Sequence, residues 1–362
     1  MTTVFVSGCF DILHGGHVEF FSQAKALGDR LVVSFASDVV LVKTKGRRSS
    51  IPDEHKKRLI ESLKMVDEVV IGNSTEVIGL DFIEHFNRVR PDILAATEDD
   101  RFAEIKTALC ESCGWPCSYV RLPKTLNFAA ISTTEILQWI KSPKEVPLRI
   151  DIAGGWLDLP SMAIAGSYIV NCSITPKVSL ADWRYEIGGG LGGSAACALL
   201  SGKNPVESEL GIGVGWQDPA VIMETGLCVW RSGDRPVLDI KVNPEILAGK
   251  MALLWTGAPH NTPMNASKSR DYSIISDAGY QAAISVRGSN LNGILKAVRM
   301  SYEAQIREGM RPLPSYYECA KKYAGGGWGG YAVYFFDNRT SRDSFVSSIE
   351  GSVSIEPYIS QY

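Results

Sequence analysis

The chain has 362 residues, of which 45% are hydrophobic and 21% charged, and its formal net charge is −3. This length exceeds that of a domain built around a single hydrophobic core, so we expect two domains. The nearly balanced charge gives no global electrostatic case for a nucleic-acid partner. The sequence has no run of 18 apolar residues, and its first residues lack the basic start and apolar region of a signal peptide. We therefore expect a cytoplasmic protein with neither a nucleic-acid nor a membrane partner.

Short apolar runs alternate with helix-like segments along the first 141 residues. Strands are predicted at 3–7, 31–36, 68–72, 93–96 and 118–121, and helices at 16–27, 54–64, 78–87, 103–113 and 132–141. Strands that alternate with helices through short links predict a doubly wound parallel α/β sheet of the Rossmann-like kind.

Three of the eight cysteines, Cys110, Cys113 and Cys117, form a cluster near the end of one predicted helix. A zinc site needs a fourth ligand and usually a second paired motif, and no histidine lies nearby in the sequence. We therefore expect reduced cysteines at a helix end rather than a metal site.

A polar stretch with two prolines, residues 142–147, follows the α/β pattern. It predicts a linker between a domain of residues 1–141 and a domain of residues 148–362. The second domain differs in composition, with glycine clusters at 154–155, 188–193 and 325–330.

The first chemical motif, residues 8–17, has the sequence GCFDILHGGH and comes directly after the first strand. His14 and His17 are three residues apart at a helix start, so they face the same side. Backbone amides and the helix dipole favour a phosphate there, and the imidazoles would donate hydrogen bonds to an α-phosphate during in-line transfer. A metal-binding pair is the alternative, but no third histidine or carboxylate accompanies the two.

This motif resembles that of the HxGH nucleotidyltransferases, the cytidylyltransferase-like group. Residues 131–134, ISTT, are similar to the family element whose hydroxyls and amides hold nucleotide phosphates. The resemblance implies that His14 and His17 are catalytic. It also implies a nucleotide-binding role for Gly8, Cys9, Phe10, Asp11, Gly16, Ser132, Thr133 and Thr134.

The middle of the first domain carries weaker similarities to the same family. Asp38, after a serine, is similar to a family residue beside the acceptor pocket, and residues 43–47 resemble a mobile basic loop. Lys45 is the expected phosphate contact and a catalytic residue, although a solvated loop is the alternative. Lys56 stands where the family often has an arginine, and lysine keeps the charge but not the bidentate fork.

The second domain contains a phosphate cradle by physical criteria. A glycine-rich loop ends at Gly193 and is followed by Ser194 and an alanine-rich helix, so consecutive amides and a helix start are available to phosphates. It is not a Walker loop, because no Gly-Lys-Ser/Thr ends it. Asp218 supplies a carboxylate that would accept a proton from a substrate hydroxyl. Flexible turns are the alternative explanation of the glycines.

The glycine motifs, in this order, resemble those of the galactokinase, homoserine kinase and mevalonate kinase (GHMP) superfamily. The opening motif, residues 148–160, is most similar to that of fucokinases and heptose kinases. The resemblance implies an α+β domain with Asp218 as catalytic residue and Arg149 holding it, and a magnesium ion at Ser194. The nucleotide-binding residues would be Gly188, Gly189, Gly190, Gly192, Gly193 and Ser194, and the substrate-binding residues Gly154, Gly155, Asp158, Gly326, Gly327 and Gly329.

These resemblances predict a bifunctional transferase whose kinase half phosphorylates a heptose- or fucose-like sugar with ATP and Mg²⁺. The first half would then transfer a nucleotidyl group to the sugar phosphate, CMP from CTP being favoured over AMP from ATP. The alternative is a nucleotidyltransferase acting on glycerol phosphate or choline phosphate, with an inactive kinase remnant used for binding, regulation or oligomerisation. We expect small-molecule partners and a homodimer.

Overall fold

The computed structural model describes residues 1–124, 130–265 and 268–360. The chain forms two compact units, Met1–Leu137 and Gln138–Tyr362, and each contains its own sheet and its own hydrophobic clusters. Of the helices in the described ranges, none has the length and apolar character needed to cross a membrane.

The first unit is a parallel five-stranded sheet with helices between its strands. The strand order is β3-β2-β1-β4-β5. Its elements are β1 (Thr3–Gly8), α1 (Gly15–Lys25), β2 (Arg30–Ala36), α2 (Asp38–Lys45), α3 (Asp53–Glu61), β3 (Glu68–Gly72), α4 (Ile83–Val89), β4 (Ile93–Thr97), α5 (Ala103–Ser112) and β5 (Ser118–Leu122), and α6 (Thr133–Lys141) begins at its end.

This topology confirms the predicted doubly wound sheet. Strand β1 lies at its centre and is covered on both faces: Val4 and Val6 belong to one hydrophobic cluster, and Phe5 belongs to another. The chain leaves β1 for β2 on one side and reaches β4 on the other, so the strand order reverses beside β1. A crevice for ligands is expected at the carboxyl ends of β1 and β4.

Two local predictions for this unit were wrong. The basic segment 43–47 was predicted as a loop, but α2 continues to Lys45 because Ser37 caps its start and Gly46 ends it in a left-handed conformation. The helix predicted at 78–87 begins only at Ile83, because Gly79, with φ of +91°, lies in a turn. Because α2 ends at Lys45, the loop next to the first motif starts at Gly46.

The second unit is an antiparallel sheet packed with helices, as expected for an α+β domain. Its strand order is β11-β12-β10-β13-β7-β8-β9, with β6 paired to β7. The elements are β6 (Val146–Ala153), β7 (Tyr168–Val178), α7 (Gly193–Leu200), α8 (Pro205–Gly211), α9 (Gln217–Glu224), β8 (Leu227–Arg231), β9 (Val237–Val242), β10 (Met251–Trp255), α10 (Thr262–Asn265), α11 (Tyr272–Arg287), α12 (Leu291–Arg307), β11 (Ala320–Tyr323), β12 (Tyr331–Phe335), α13 (Arg339–Ser348) and β13 (Ser352–Pro357).

Strand β6 begins at Val146, inside the stretch predicted as a linker. Val146 is buried in the main hydrophobic cluster of the second unit, which explains why the strand starts two residues before the predicted domain boundary. At the other end of this unit, β13 lies between β10 and β7. The sheet is therefore completed only by residues near the end of the chain.

Candidate active sites

The paired histidines lie at the carboxyl end of β1, where α1 begins. His14 occupies the N-cap position, and its ring stacks on that of His17 with 3.8 Å between the ring centroids. Burial lowers the pKa of both side chains, and burial together with the neighbouring His14 lowers the pKa of His17 to about 3. Both imidazoles are therefore neutral at pH 7. Nδ1 of His14 is buried without a hydrogen-bond partner among the described residues.

Gly8 and Phe10 shape the turn under these histidines. Phe10 has φ of +40° and a buried ring that meets His17 edge to face, at 5.2 Å between centroids. A Cβ atom on Gly8 would lie 2.7 Å from that ring, so only glycine permits this packing. The side chain of Phe10, predicted among the nucleotide-binding residues, thus points into the core and supports His17.

Asp11 is the anchor of the segment that follows α2. Its buried carboxylate accepts hydrogen bonds from Ser49 Oγ at 2.8 Å, from Ser50 N and Oγ at 2.6 and 2.9 Å, and from Arg47 Nη1 at 2.7 Å. Burial alone would raise the pKa of Asp11, but these hydrogen bonds lower it to about 2. Asp11 is therefore ionised, and both of its carboxylate oxygens accept hydrogen bonds from protein groups. These bonds hold the basic segment against the histidine motif.

Lys56 belongs to the same hydrogen-bond network. Its side chain is fully buried, and Nζ donates to Ala36 O at 3.2 Å and to Ser49 Oγ at 3.0 Å. Burial lowers the pKa of Lys56. Asp38 accepts from Ser49 N at 2.7 Å, whereas Lys45 is exposed in the last turn of α2. Lys56 therefore positions Ser49, whereas the exposed Lys45 is accessible to a phosphate.

The element at the start of α6 meets the histidine motif. Thr133 Oγ1 donates to Ile12 O at 3.4 Å, and the carboxylate of Glu135 favours the charged form of His14. Ser132 forms a capping box: its N donates to Glu135 Oε2 at 2.7 Å, and its Oγ accepts from Glu135 N at 3.2 Å. Two motifs more than a hundred residues apart therefore share one site, although the hydroxyl of Ser132 already serves the helix.

In the second unit, Arg149 and Asp218 form a buried ion pair. Nε and Nη2 of Arg149 donate to the two carboxylate oxygens of Asp218 at 2.6 and 2.7 Å, and Nη1 donates to Gly190 O at 2.6 Å. Arg149 is only 3% exposed. This bidentate geometry fixes the plane of the Asp218 carboxylate at the start of α9.

Two of the glycine loops pack directly on one another beside this pair. Gly190 has φ of +75°, and a Cβ atom on it would lie 2.7 Å from Ala324 O. Tyr331 N donates to Gly189 O at 2.8 Å, which ties the loop of residues 188–193 to the loop of residues 324–330. Gly192, also left-handed, caps α7. The close contact between the two backbones therefore requires glycine at these positions, whether or not a ligand is bound.

Asp158 lies deep in the same site. It accepts from Gln217 N at 3.1 Å and from Gln217 Nε2 at 3.2 Å, and burial raises its pKa to about 7. A Cβ atom on Gly215 would overlap the Asp158 carboxylate, so this glycine makes room for it.

Four further residues of the site were missed in the sequence: Asp151, Glu209, His260 and Lys322. Glu209 is buried, contacts Ser194 and is influenced by Asp218; burial and Asp218 raise its pKa to about 7. Asp151 pairs with Lys322 and accepts from Gly325 N at 2.7 Å. Because Asp151 is two residues after Arg149 in β6, strand alternation would have placed both on one face. No sequence signal marked Glu209 or His260.

A cavity of about 840 Å³ is lined by most of these groups, Asp151 and Lys322 excepted. Its lining combines the glycine loop 188–193, Arg149, Asp158 and Asp218 with apolar side chains such as Trp183. Of the glycines predicted to bind substrate, Gly155 and Gly326 line this cavity. Gly154, Gly327 and Gly329 are instead packed against Tyr168 O, Met310 and Pro259 O, and the described cavity lining does not include them.

The residues present fit a magnesium ion that is bound mainly through nucleotide phosphates. In the described part of the chain, no three His, Cys, Asp or Glu side chains are grouped to hold a metal ion. Magnesium at such sites usually takes only one or two protein oxygens, together with phosphates and water. Ser194, predicted as a magnesium ligand, and the adjacent Glu209 supply a hydroxyl and a carboxylate of this kind.

The first unit can now be assigned to a family. The cytidylyltransferase-like family model matches residues 5–138. An FAD synthase from Pyrococcus horikoshii is 38% identical over 139 residues, which cover 38% of this chain and 90% of that protein. The chain therefore belongs to the cytidylyltransferase-like family, and its first unit is a nucleotidyltransferase-like domain.

Two solved structures are similar to parts of the chain. The lipopolysaccharide core biosynthesis protein from Thermoplasma volcanium is 30% identical. The match covers 35% of this chain and 99% of that protein, with a TM-score of 0.31. A D-glycero-D-manno-heptose 1-phosphate kinase from Bacteroides thetaiotaomicron is 14% identical. The match covers 59% of this chain and 95% of that protein, with a TM-score of 0.44.

Proposed function

We propose that the first unit transfers a nucleoside monophosphate from a nucleoside triphosphate to a phosphorylated small molecule and releases pyrophosphate. The observation that carries the proposal is the stacked, neutral pair of His14 and His17 at a helix start beside the ISTT element. Neutral imidazoles donate hydrogen bonds without neutralising the attacking phosphate, and such donors act where negative charge increases in the transition state. The exposed Lys45, in the last turn of α2, would add a positive charge for the phosphates.

Within this proposal we rank ATP before CTP as the nucleotide. The curated relatives are named FAD synthases, and FAD contains an adenylyl group. Transfer of CMP, favoured by the motifs in the sequence, stays a prediction. The same relatives favour a second candidate function, in which FMN is the acceptor and FAD the product.

We propose that the second unit is a sugar kinase. The observation that supports it is the carboxylate of Asp218, held by Arg149 next to glycine-loop amides in one cavity. In the proposed step a substrate hydroxyl oxygen attacks the γ-phosphorus of ATP, its proton passes to Asp218, and ADP leaves. Arg149 orients the carboxylate, and the amides of residues 188–193 bind phosphate oxygens. A magnesium ion held by Ser194 and Glu209 would neutralise phosphate charge.

The two proposed activities fit one sequence of reactions. A kinase that phosphorylates a sugar produces a sugar phosphate, and a sugar phosphate is an acceptor of the class that a nucleotidyltransferase uses. This relation favours a sugar phosphate over FMN as the acceptor of the first unit.

The full chain should be incubated with ATP or CTP and with candidate sugars, sugar phosphates or FMN, while pyrophosphate and ADP are measured separately. We expect His17→Ala to lower pyrophosphate release without changing ADP release, and Asp218→Asn to lower ADP release without changing pyrophosphate release from a supplied sugar phosphate. FAD formation with no turnover of any sugar phosphate would select the second candidate. No pyrophosphate with any acceptor would refute the transferase proposal, and no ADP together with no binding of ATP would leave the second unit as a kinase remnant.

A further inference from the structure

A row of four charged side chains lies at and behind the wall of the second unit's cavity. Arg149 and Asp218 are part of the wall, whereas Asp151 and Lys322 lie outside the described cavity lining. Asp151 and Lys322 are 2% and 3% exposed, and Nζ of Lys322 donates to Oδ2 of Asp151. The charges alternate in sign along the row Lys322, Asp151, Arg149, Asp218. The inner pair can therefore act on the cavity only through its neighbours.

Asp151 joins three parts of this region. Its Oδ1 accepts a hydrogen bond from Gly325 N at 2.7 Å and lies 3.6 Å from Nη1 of Arg149, and its Oδ2 contacts Lys322. Burial alone would raise the pKa of Asp151, but the charges of Lys322 and Arg149 lower it. Asp151 is therefore ionised, and a carboxylate at this depth requires a paired cation.

Arg149 lies between two carboxylates that compete for its positive charge. It binds Asp218 through Nε and Nη2 at 2.6 and 2.7 Å, and its Nη1 donates to Gly190 O at 2.6 Å. Lys322 gives Asp151 a cation of its own, so the guanidinium stays with Asp218. Of the described residues that form ion pairs with Asp151, Arg149 would be the one left without Lys322. Closing the distance of 3.6 Å to a hydrogen bond of about 2.9 Å would move the guanidinium by about 0.7 Å.

We propose that Lys322 is a positioning residue for phosphoryl transfer in the second unit, because it neutralises Asp151 and thereby keeps Arg149 on Asp218. The inference rests on the proposed kinase function and adds to it a residue outside the cavity. Misplacement of a reacting group by 1 Å lowers the rate by about 10²-fold, so a shift of Arg149 that carries Asp218 with it would be costly. ATP binding is assigned to the backbone amides of residues 188–193, so the effect should fall on kcat rather than on KM for ATP.

The test removes the charge of Lys322 alone and then together with that of Asp151. The full-length protein is supplied with ATP, Mg²⁺ and the hexose or heptose that gives the most ADP with the wild type, and kcat and KM are measured. Lys322→Met leaves Asp151 without its cation, so we expect kcat to fall about 10²-fold while KM for ATP changes less than about threefold. When Asp151→Asn is added, Arg149 has one carboxylate left and asparagine still accepts from Gly325 N. The double variant should therefore have a kcat within about tenfold of the wild-type value.

Lys321→Met is the matched control, because Lys321 precedes Lys322 in β11 and is also buried. Strand alternation places the two side chains on opposite faces, and Nζ of Lys321 binds Pro314 O at 2.9 Å and Glu318 Oε1 at 2.8 Å. This variant should lower the melting temperature and leave kcat at the wild-type value. A wild-type kcat in Lys322→Met, or an equal loss of kcat in Lys321→Met, would overturn the inference and leave the kinase proposal standing.

The double variant decides the question if Lys322→Met does not fold. Neutral groups of similar size often replace a buried ion pair without loss of stability, so this variant is expected to fold. A kcat about 10²-fold below the wild-type value in the double variant would overturn the inference, because Arg149 then has no second carboxylate to bind. Absence of ADP formation by the wild type with every sugar would refute the kinase proposal and, with it, the role of Lys322.

Discussion

Replacement of Asp218 by asparagine tests the chemistry and the packing of the second unit together. Asparagine has one acceptor oxygen, so it can take one hydrogen bond from Arg149, while its amide group meets the other guanidinium donor. The proton acceptor is lost at the same time, so we expect ADP formation to fall by about 10²–10⁴-fold. ATP binding should remain, because the glycine-loop amides are unchanged.

The structure also predicts a cost in stability. Removal of one partner from a buried ion pair costs about 3–5 kcal/mol. Asp151 lies 3.6 Å from Nη1 of Arg149 and still compensates part of its charge, so we place the loss at the lower end, about 3 kcal/mol. For a domain of this size, 1 kcal/mol corresponds to about 2–4 °C in melting temperature. The transition of the second unit should therefore fall by about 6–12 °C.

The assay combines coupled ADP detection, calorimetry with ATP and thermal denaturation of the full chain. Asp182→Asn is the control, because both members of the Asp182–Arg184 pair are more than half exposed and surface ion pairs contribute little to stability. Its shift in melting temperature should be less than a third of that of Asp218→Asn. Wild-type ADP formation in Asp218→Asn would refute its role as proton acceptor. Unchanged melting would refute the energetic importance of the bidentate pair.

Three further predictions concern both sites. His14→Ala or His17→Ala should lower pyrophosphate release by about 10²–10³-fold with the fold retained by circular dichroism, because each removes a transition-state donor. Lys45→Ala should raise KM for the nucleoside triphosphate about tenfold in steady-state assays, with little change in melting temperature, because its exposed charge acts only at the phosphates. Gly190→Val should lower the melting temperature of the second unit and abolish ATP binding in calorimetry, because a β-branched residue is strained at φ of +75° and its Cβ would press on Ala324 O.

Each of these variants has a matched control. His55→Ala removes an exposed imidazole from α3, and Lys64→Ala removes an exposed ammonium after α3; both should keep wild-type kinetics. Gly233→Val places the same side chain where a Cβ atom has no neighbour within 4 Å. Wild-type pyrophosphate release in either histidine variant, a stability loss without a kinetic change in Lys45→Ala, or normal ATP binding in Gly190→Val would contradict the corresponding prediction.

The sequence by itself determined the class of the first unit and the position of its histidine motif. Strand and helix periodicity depends on local composition, so the five parallel strands were predicted close to their observed bounds. The histidine motif is contiguous and follows a strand directly, so its place at a helix start could be derived without tertiary information. The same holds for the glycine loop before α7, because a run of glycines ending at a helix leaves few alternatives.

Tertiary structure alone decided which distant residues share a site. Arg149 and Asp218 are 69 residues apart, and only the pairing of β6 with the elements around it brings them into bidentate contact. The buried carboxylate of Glu209 and the ring of His260 belong to no motif, because their roles arise from neighbours that are remote in sequence. Lys56 stands where the family often has an arginine, and only the packing shows that its ammonium is buried and bonded to Ser49. Side-chain direction and desolvation are properties of packing, and local sequence does not encode them.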